Sequence, residues 1–307
     1  MRNAFAHEVT SLAKTDPRLI LLSGDIGNML FDKFKEVDPV RFYNCGVAEA
    51  NMMGVAAGMA LSGLRPVVYT ITPFTTTRCF EQIRVDVCYH KAPVIIVGTG
   101  SGLSYAELGP THHSLEDLAI LRTLPGMRVV APCDTMELRL ALRAALKQSN
   151  PVYIRIGKKG EPAIHKHEPV FDFGTAIVVR EGADVSLLSA GTIMPEVLKA
   201  ADRLQAQGVS AEVVSFHSIK PLDTVYLARA AGRFKLLATV EEHGVIGGLG
   251  SAVAEWRAAA SASVPHISFG TPDEFMHEVG SQEYARAKYG LTSENIANRI
   301  FAAVRPQ

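Results

Sequence analysis

Arg41-Phe-Tyr-Asn-Cys-Gly-Val-Ala-Glu49-Ala-Asn-Met-Met-Gly-Val-Ala-Ala-Gly-Met-Ala-Leu-Ser62-Gly-Leu-Arg-Pro66-Val-Val-Tyr-Thr-Ile71 is the stretch that decides the fold. A short β-rich run, Arg41–Asn44, stops at a glycine turn. Glu49–Ser62 then spaces Met52, Val55, Ala56 and Met59 as one apolar helix face, and Pro66–Ile71 reads as a buried strand. Strand, helix and strand in immediate succession make a βαβ unit, which implies a parallel sheet.

Outward from that unit the alternation continues. Arg18–Ser23, Pro93–Gly98, Met127–Ala131 and Pro151–Ile156 read as strands; Thr76–His90, Ser114–Leu121 and Thr135–Gln148 read as helices. The composition changes over Gly157–Pro169, a polar stretch with two prolines and two glycines. Beyond it, Asp184–Ala190, Ser210–Ser215, Leu236–Glu241 and His266–Phe269 read as strands, with helices at Pro195–Gln207, Thr224–Ala231 and Gly250–Ala260. The expected architecture is α/β: two doubly wound, mostly parallel-sheet domains at residues 1–160 and 173–307, joined by a linker over 161–172.

Composition agrees and excludes several classes. The 307 residues are 48% hydrophobic and 20% charged, a globular balance rather than a disordered or fibrous one. Lys+Arg 31 against Asp+Glu 31 leaves no global field to draw in nucleic acid or an anionic membrane, so any phosphate recognition is local. Cys45, Cys79, Cys88 and Cys133 show no Cys-x-x-Cys spacing and read as free thiols. The N-terminus has no apolar signal-like run, and the longest apolar stretches are of strand length. A soluble, cytoplasmic protein is expected.

Several residues invite chemistry. Glu49 is a lone carboxylate opening an apolar helix; it either favours the helix N-terminus through the dipole or sits half-buried against a ligand, suited to proton transfer. Phe74 and Phe80 lie at helical spacing, which ordinarily means core. His112-His113 are adjacent and point apart, with no third ligand spaced to join them, so no metal is assigned. Arg155, Lys158 and Lys159 close the first domain as a charge run. Gly98-Thr-Gly-Ser-Gly102 follows a strand, but it lacks the third glycine and the following helix of a dinucleotide-binding turn.

Gly46-Val-Ala-Glu49, Gly109-Pro-Thr-His112-His-Ser-Leu-Glu-Asp-Leu118 and Thr239-Val-Glu-Glu-His-Gly-Val-Ile-Gly-Gly-Leu-Gly250 together resemble the transketolase family. More narrowly, the chain is similar to the C-terminal subunit of a split transketolase, with pyrimidine-binding and C-terminal domains. The likeness runs from about residue 5 to the end. It implies a two-carbon ketol transfer from a ketose donor, phosphorylated by expectation, to an aldehyde acceptor, with thiamine diphosphate as cofactor. An N-terminal partner subunit would bind the diphosphate and Mg2+, and the pair would form a heterotetramer. Gly24-Asp-Ile echoes the start of the family's magnesium motif, but the later asparagine pair is absent, so the metal is not placed on this chain.

The resemblance also assigns residues. A glutamate at the position of Glu49 hydrogen-bonds the cofactor's pyrimidine ring and promotes loss of the thiazolium C2 proton. Phe74 would stack on that ring, leaving Phe80 to the core. Asp25 and Ile26 would border the cofactor. His112 would face the substrate oxygens as donor or proton carrier, and Arg78, Arg155 and Lys158 would complete the substrate site. Lys158 stands where the family usually has arginine, which keeps the charge and loses the bidentate fork. Two departures touch specificity. Leu108 replaces the aspartate that reads a sugar hydroxyl, and Thr99-Gly-Ser-Gly102 replaces a segment with a histidine. Losing two polar readers relaxes or changes the acceptor preference. The alternatives are the beta subunit of a 2-oxo-acid dehydrogenase decarboxylating component, a deoxyxylulose-phosphate-synthase-like enzyme, and a non-catalytic scaffold subunit.

Overall fold

The computed structural model describes residues 1–27 and 29–305. Its strands are β1 (Leu19–Ser23), β2 (Phe42–Asn44), β3 (Arg65–Ile71), β4 (Ile95–Thr99), β5 (Arg128–Val130) and β6 (Val152–Ile156), then β7 (Ile177–Arg180), β8 (Val185–Ala190), β9 (Ala211–Ser215), β10 (Ser218–Lys220), β11 (Leu236–Gly244) and β12 (His266–Thr271). They form a seven-stranded sheet of order β10-β5-β6-β4-β3-β1-β2 and a five-stranded sheet of order β12-β11-β8-β9-β7. Each is parallel except for one antiparallel edge strand, β10 on β5 and β7 on β9.

The first sheet is buried on both faces, as a parallel sheet covered by helices must be. Side chains alternate along each strand. Leu19 and Leu21 of β1 and Val67 of β3 join Phe5 and Val9 of helix Arg2–Ala13 with Leu138 and Leu142 of helix Thr135–Leu146. Ile20, Leu22 and Val68 take the other face, against Met52, Met53, Ala56 and Ala57 of helix Glu49–Leu61. This second core continues without a break into Leu188, Val214 and Leu237 of the second sheet, so the two sheets share a hydrophobic body. The far face of the second sheet packs on helices Met194–Ala206 and Ser293–Val304.

The expected single helix over Thr76–His90 is corrected. The chain instead makes a 3-10 turn at Thr77–Cys79, a short α turn at Phe80–Gln82 and a π-helix at Ile83–Tyr89. Buried Cys79, Ile83 and Val87 recur every fourth residue, a spacing that keeps one face inward under either winding, so periodicity does not distinguish them. The helix expected at Ser114–Leu121 begins only at Asp117, because Ser114 to Glu116 are held in other contacts. Helix Arg2–Ala13 and strands β7 and β10 were not expected from the sequence. All four cysteines are free, and no helix among the described residues is long and apolar enough to cross a membrane.

Candidate active site

The ends of β1 and β2 build the turn that presents Glu49. Gly46 takes φ +66°, a conformation that favours glycine. Its N–H donates to Asn44 Oδ1 at 2.9 Å, and its carbonyl accepts from the Asp25 N–H at 3.1 Å. The helix begins at once, and Glu49 in its first turn is 4% exposed. Arg78 Nη1 donates to Glu49 Oε2 at 3.0 Å. Among the described residues Glu49 Oε1 makes no hydrogen bond, so an acceptor on a buried side chain is left for a ligand donor.

From Glu49 the contacts run on without a gap. The Arg78 guanidinium lies 3.9 Å from the centre of the Phe74 ring, a cation–π arrangement. Phe74 meets the His112 imidazole edge-on at 5.3 Å, and His112 meets Tyr105 at 6.0 Å. Lys158 Nζ stands 4.5 Å from the Tyr105 ring centre and is ion-paired with Glu107. Glu49, Arg78, Phe74, His112 and Lys158 are therefore brought together, with Tyr105 and Glu107 added by the structure. Sequence spacing carried no signal for the last two. One face of Phe74 is covered by Arg78, so a ligand ring would stack on the other face or displace the guanidinium. Phe80, by contrast, packs against the shared core.

His112 is half-buried, with Nδ1 2.9 Å from Thr111 Oγ1. Burial lowers its pKa from the ordinary 6.5, and the charge of Arg78 lowers it further. The imidazole is neutral at neutral pH and offers one donor and one acceptor. Asp25 is exposed and accepts from Asn44 Nδ2 at 3.2 Å, while half-buried Ile26 packs against the first sheet. Asp25 thus borders the Gly46 turn, through its N–H and its carboxylate.

Arg155 does not join this cluster, against expectation. It is 2% exposed on β6, with Nε 3.1 Å from Asp117 Oδ2. Nη2 donates to the Ser114 carbonyl and, at 2.8 Å, to the Glu242 carbonyl. Tyr153 Oη adds a bond of 2.6 Å to Asp117 Oδ2. A guanidinium committed in this way fastens the loop that carries His112 to β6 and to the Glu242 segment.

The late motif Thr239–Gly250 works on the same loop from the other side. Buried Glu241 accepts from the N–H groups of Leu249 and Gly250, each at 2.8 Å, and so caps helix Leu249–Ala259. Buried Glu242 accepts from the Leu103 N–H at 3.3 Å, accepts from Gln282, and pairs with Arg286. His243 Nε2 accepts from the Ala119 N–H at 3.3 Å, and the Gly244 N–H donates to the Leu115 carbonyl at 2.9 Å. The Gly98–Gly102 turn has its explanation here: Gly102 takes φ +59°, and a Cβ on it would lie 2.8 Å from the Glu242 carbonyl oxygen.

Residues 1–161 match the family described as "Transketolase, pyrimidine binding domain", and residues 174–296 match "Transketolase, C-terminal domain". The chain is 37% identical, over 96% of its length and 92% of the relative's, to the 6-deoxy-6-sulfo-D-fructose transketolase subunit SqwH of Clostridium sp. (strain MSTE9). It is 34% identical, over 99% of its length and 97% of the relative's, to a subunit of the apulose-4-phosphate transketolase of Phocaeicola vulgatus. Among solved structures it resembles a split-gene transketolase described as an inactive beta4 tetramer, with TM-score 0.91, 35% identity, and coverage of 99% of this chain and 97% of that one.

Proposed function

The chain belongs to the transketolase family, and we propose that it is the C-terminal, pyrimidine-binding subunit of a split, thiamine-diphosphate-dependent transketolase. Its reaction moves a two-carbon ketol unit from a phosphorylated ketose to an aldehyde acceptor. The observation that carries this reading is the buried Glu49 carboxylate with Oε1 unengaged, set beside Arg78, Phe74 and His112. Those residues fit the aminopyrimidine half of the cofactor: an acceptor for a ring N–H, an aromatic face, and an imidazole beyond it.

Thiamine diphosphate, when bound, supplies a thiazolium carbon acid and an electron sink. This chain's residues manage protons and orientation around it. Glu49 Oε1 holds a shared proton against the ring, while Arg78 fixes the other carboxylate oxygen. Phe74 orients the ring by stacking, and Asp25 and Ile26 border it at the strand ends. Neutral His112 donates to, or takes a proton from, the substrate oxygen. Lys158 exchanges Glu107 for a substrate phosphate, and Arg155 acts as a positioning residue for the His112 loop.

The diphosphate and Mg2+ fall to an N-terminal partner subunit, in a cytoplasmic heterotetramer with active sites at its interfaces. In this chain, units at 1–160 and 173–307 carry the pyrimidine-binding and C-terminal roles. Leu108, half-exposed beside Glu107, gives the acceptor side an apolar surface where a hydroxyl-reading carboxylate would stand, which relaxes or changes the acceptor preference. The dehydrogenase-subunit, synthase and scaffold readings are not favoured, because the relatives above are themselves named as transketolase subunits.

The substrate assignment is tested in the assembled enzyme. Lys158→Ala is expected to raise KM about tenfold for a phosphorylated ketose, the loss of one charge-assisted contact. Hydroxypyruvate, a donor with no phosphate, should keep its KM. Equal shifts for both donors would remove Lys158 from the phosphate site.

A further inference from the structure

Cys133, Glu137 and His165 form a second cluster that shares no contact with the Glu49 set. Cys133 follows β5, Glu137 lies in the first turn of helix Thr135–Leu146, and His165 comes from the segment between β6 and β7. Glu137 is fully buried, Cys133 is 1% exposed, and the His165 side chain is 8% exposed. His165 Nε2 stands 2.7 Å from Glu137 Oε1 and 3.8 Å from Cys133 Sγ. All three ligand atoms lie within 4.8 Å of one another.

The surrounding bonds hold the backbone and carboxylates of the cluster, while the sulfur makes a long contact of 3.8 Å to His165 Nε2. Glu137 Oε2 accepts from the Cys133 N–H at 2.8 Å. Asp134 Oδ2 accepts from the N–H groups of Ile164 and His165 at 2.9 and 3.0 Å, and Oδ1 caps the helix through Met136 and Glu137. A carboxylate–imidazole pair would account for Glu137 and His165 alone. It does not require the third donor, the thiol that faces the same nitrogen. His217, fully buried and stacked on Phe171 at 4.2 Å, lies nearby, within the field of Glu137 and His165.

We propose that Cys133 Sγ, Glu137 Oε1 and His165 Nε2 form a site for a single borderline divalent cation of the zinc class, with the fourth position open. Sulfur, nitrogen and oxygen donors in one set select zinc-like ions, whereas Mg2+ and Ca2+ take oxygen. The bond from the Cys133 N–H to Glu137 Oε2, and the Asp134 bonds that hold the His165 backbone, are the outer-shell support such sites use. The ion would clasp the segment after β6 onto helix Thr135–Leu146. The site is independent of the transferase reading and of the partner's Mg2+.

The test uses the untagged full-length chain, stripped with a chelator and without partner, cofactor or magnesium. Dialysed against a slight excess of Zn2+, it should retain about one equivalent by metal analysis and unfold at a higher temperature than the stripped chain. Loaded with Co2+ instead, it should show the thiolate-to-metal charge-transfer band and visible bands of a four-coordinate ion. Cys133→Ser should lose the charge-transfer band, and His165→Gln should bind zinc at least about 10–100-fold more weakly. No zinc retained by the wild-type chain would overturn the proposal, as would equal retention by the Cys133→Ser/His165→Gln double variant. The cobalt spectrum of the wild-type chain decides the matter even where a variant fails to fold.

Discussion

Glu49→Gln is expected to cut cofactor activation by about 10²–10⁴-fold or more in the assembled enzyme, while folding and subunit association survive. The substitution keeps the shape of the side chain and an oxygen to accept from Arg78 Nη1, now 3.0 Å from Glu49 Oε2. What it removes is the ability to share a proton with a ring nitrogen. Arg78 is 43% exposed on its side chain, so it is not stranded as a buried unpaired charge. If Glu49 served only the helix N-terminus, the change would cost about 0.3–1 kcal/mol of stability and leave the chemistry untouched. Exchange of the thiazolium C2 proton for deuterium, followed by quenched-flow NMR in the assembled complex, separates the two. Exchange at the wild-type rate in the variant would remove Glu49 from proton transfer.

Arg155→Met should produce the largest stability loss among the residues described here. Both partners of the Arg155–Asp117 pair are 2% exposed on their side chains. Removing the guanidinium leaves Asp117 charged and buried with Tyr153, and strips donors from the carbonyls of Ser114 and Glu242. Breaking such a pair from one side costs about 3–5 kcal/mol. The expected result is a fall of that size in the unfolding free energy of the isolated chain, read from urea denaturation. A positioning role adds a second signature. Arg155→Lys, which restores the charge without the fork, should recover much of the stability while kcat in the assembled enzyme stays depressed, because the His112 loop loses two carbonyl anchors. A stability change under about 1 kcal/mol for Arg155→Met would contradict this account.

The alternation of strands and helices was legible because parallel strands buried on both faces are continuous apolar runs, as in Pro66–Ile71 and Pro93–Gly98. The π-helix at Ile83–Tyr89 was not, since an every-fourth-residue apolar spacing suits two windings. Strand β10 escaped because three residues carry too little pattern, and its pairing with β5 joins segments far apart in the chain. Within the site, Glu49, Phe74, Arg78, His112 and Lys158 were all named from the sequence, and their contacts now join them. Arg155, expected at the substrate, sits on β6, and only the fold reveals Asp117, Ser114 and Glu242 around it, partners that lie far from it in the chain. The Cys133–Glu137–His165 cluster was invisible for the same reason, since one of its members lies in the polar segment after β6.

The central claim is that this chain supplies one half of a thiamine-diphosphate site and depends on a partner for the other. Calorimetric titration of thiamine diphosphate with Mg2+ tests it directly, first into the isolated chain and then into the chain mixed with its N-terminal subunit. The account predicts little or no binding by the isolated chain, and saturable binding, one cofactor per pair of subunits, in the mixture. Tight micromolar binding by the isolated chain, or no binding by the assembled pair, would contradict it.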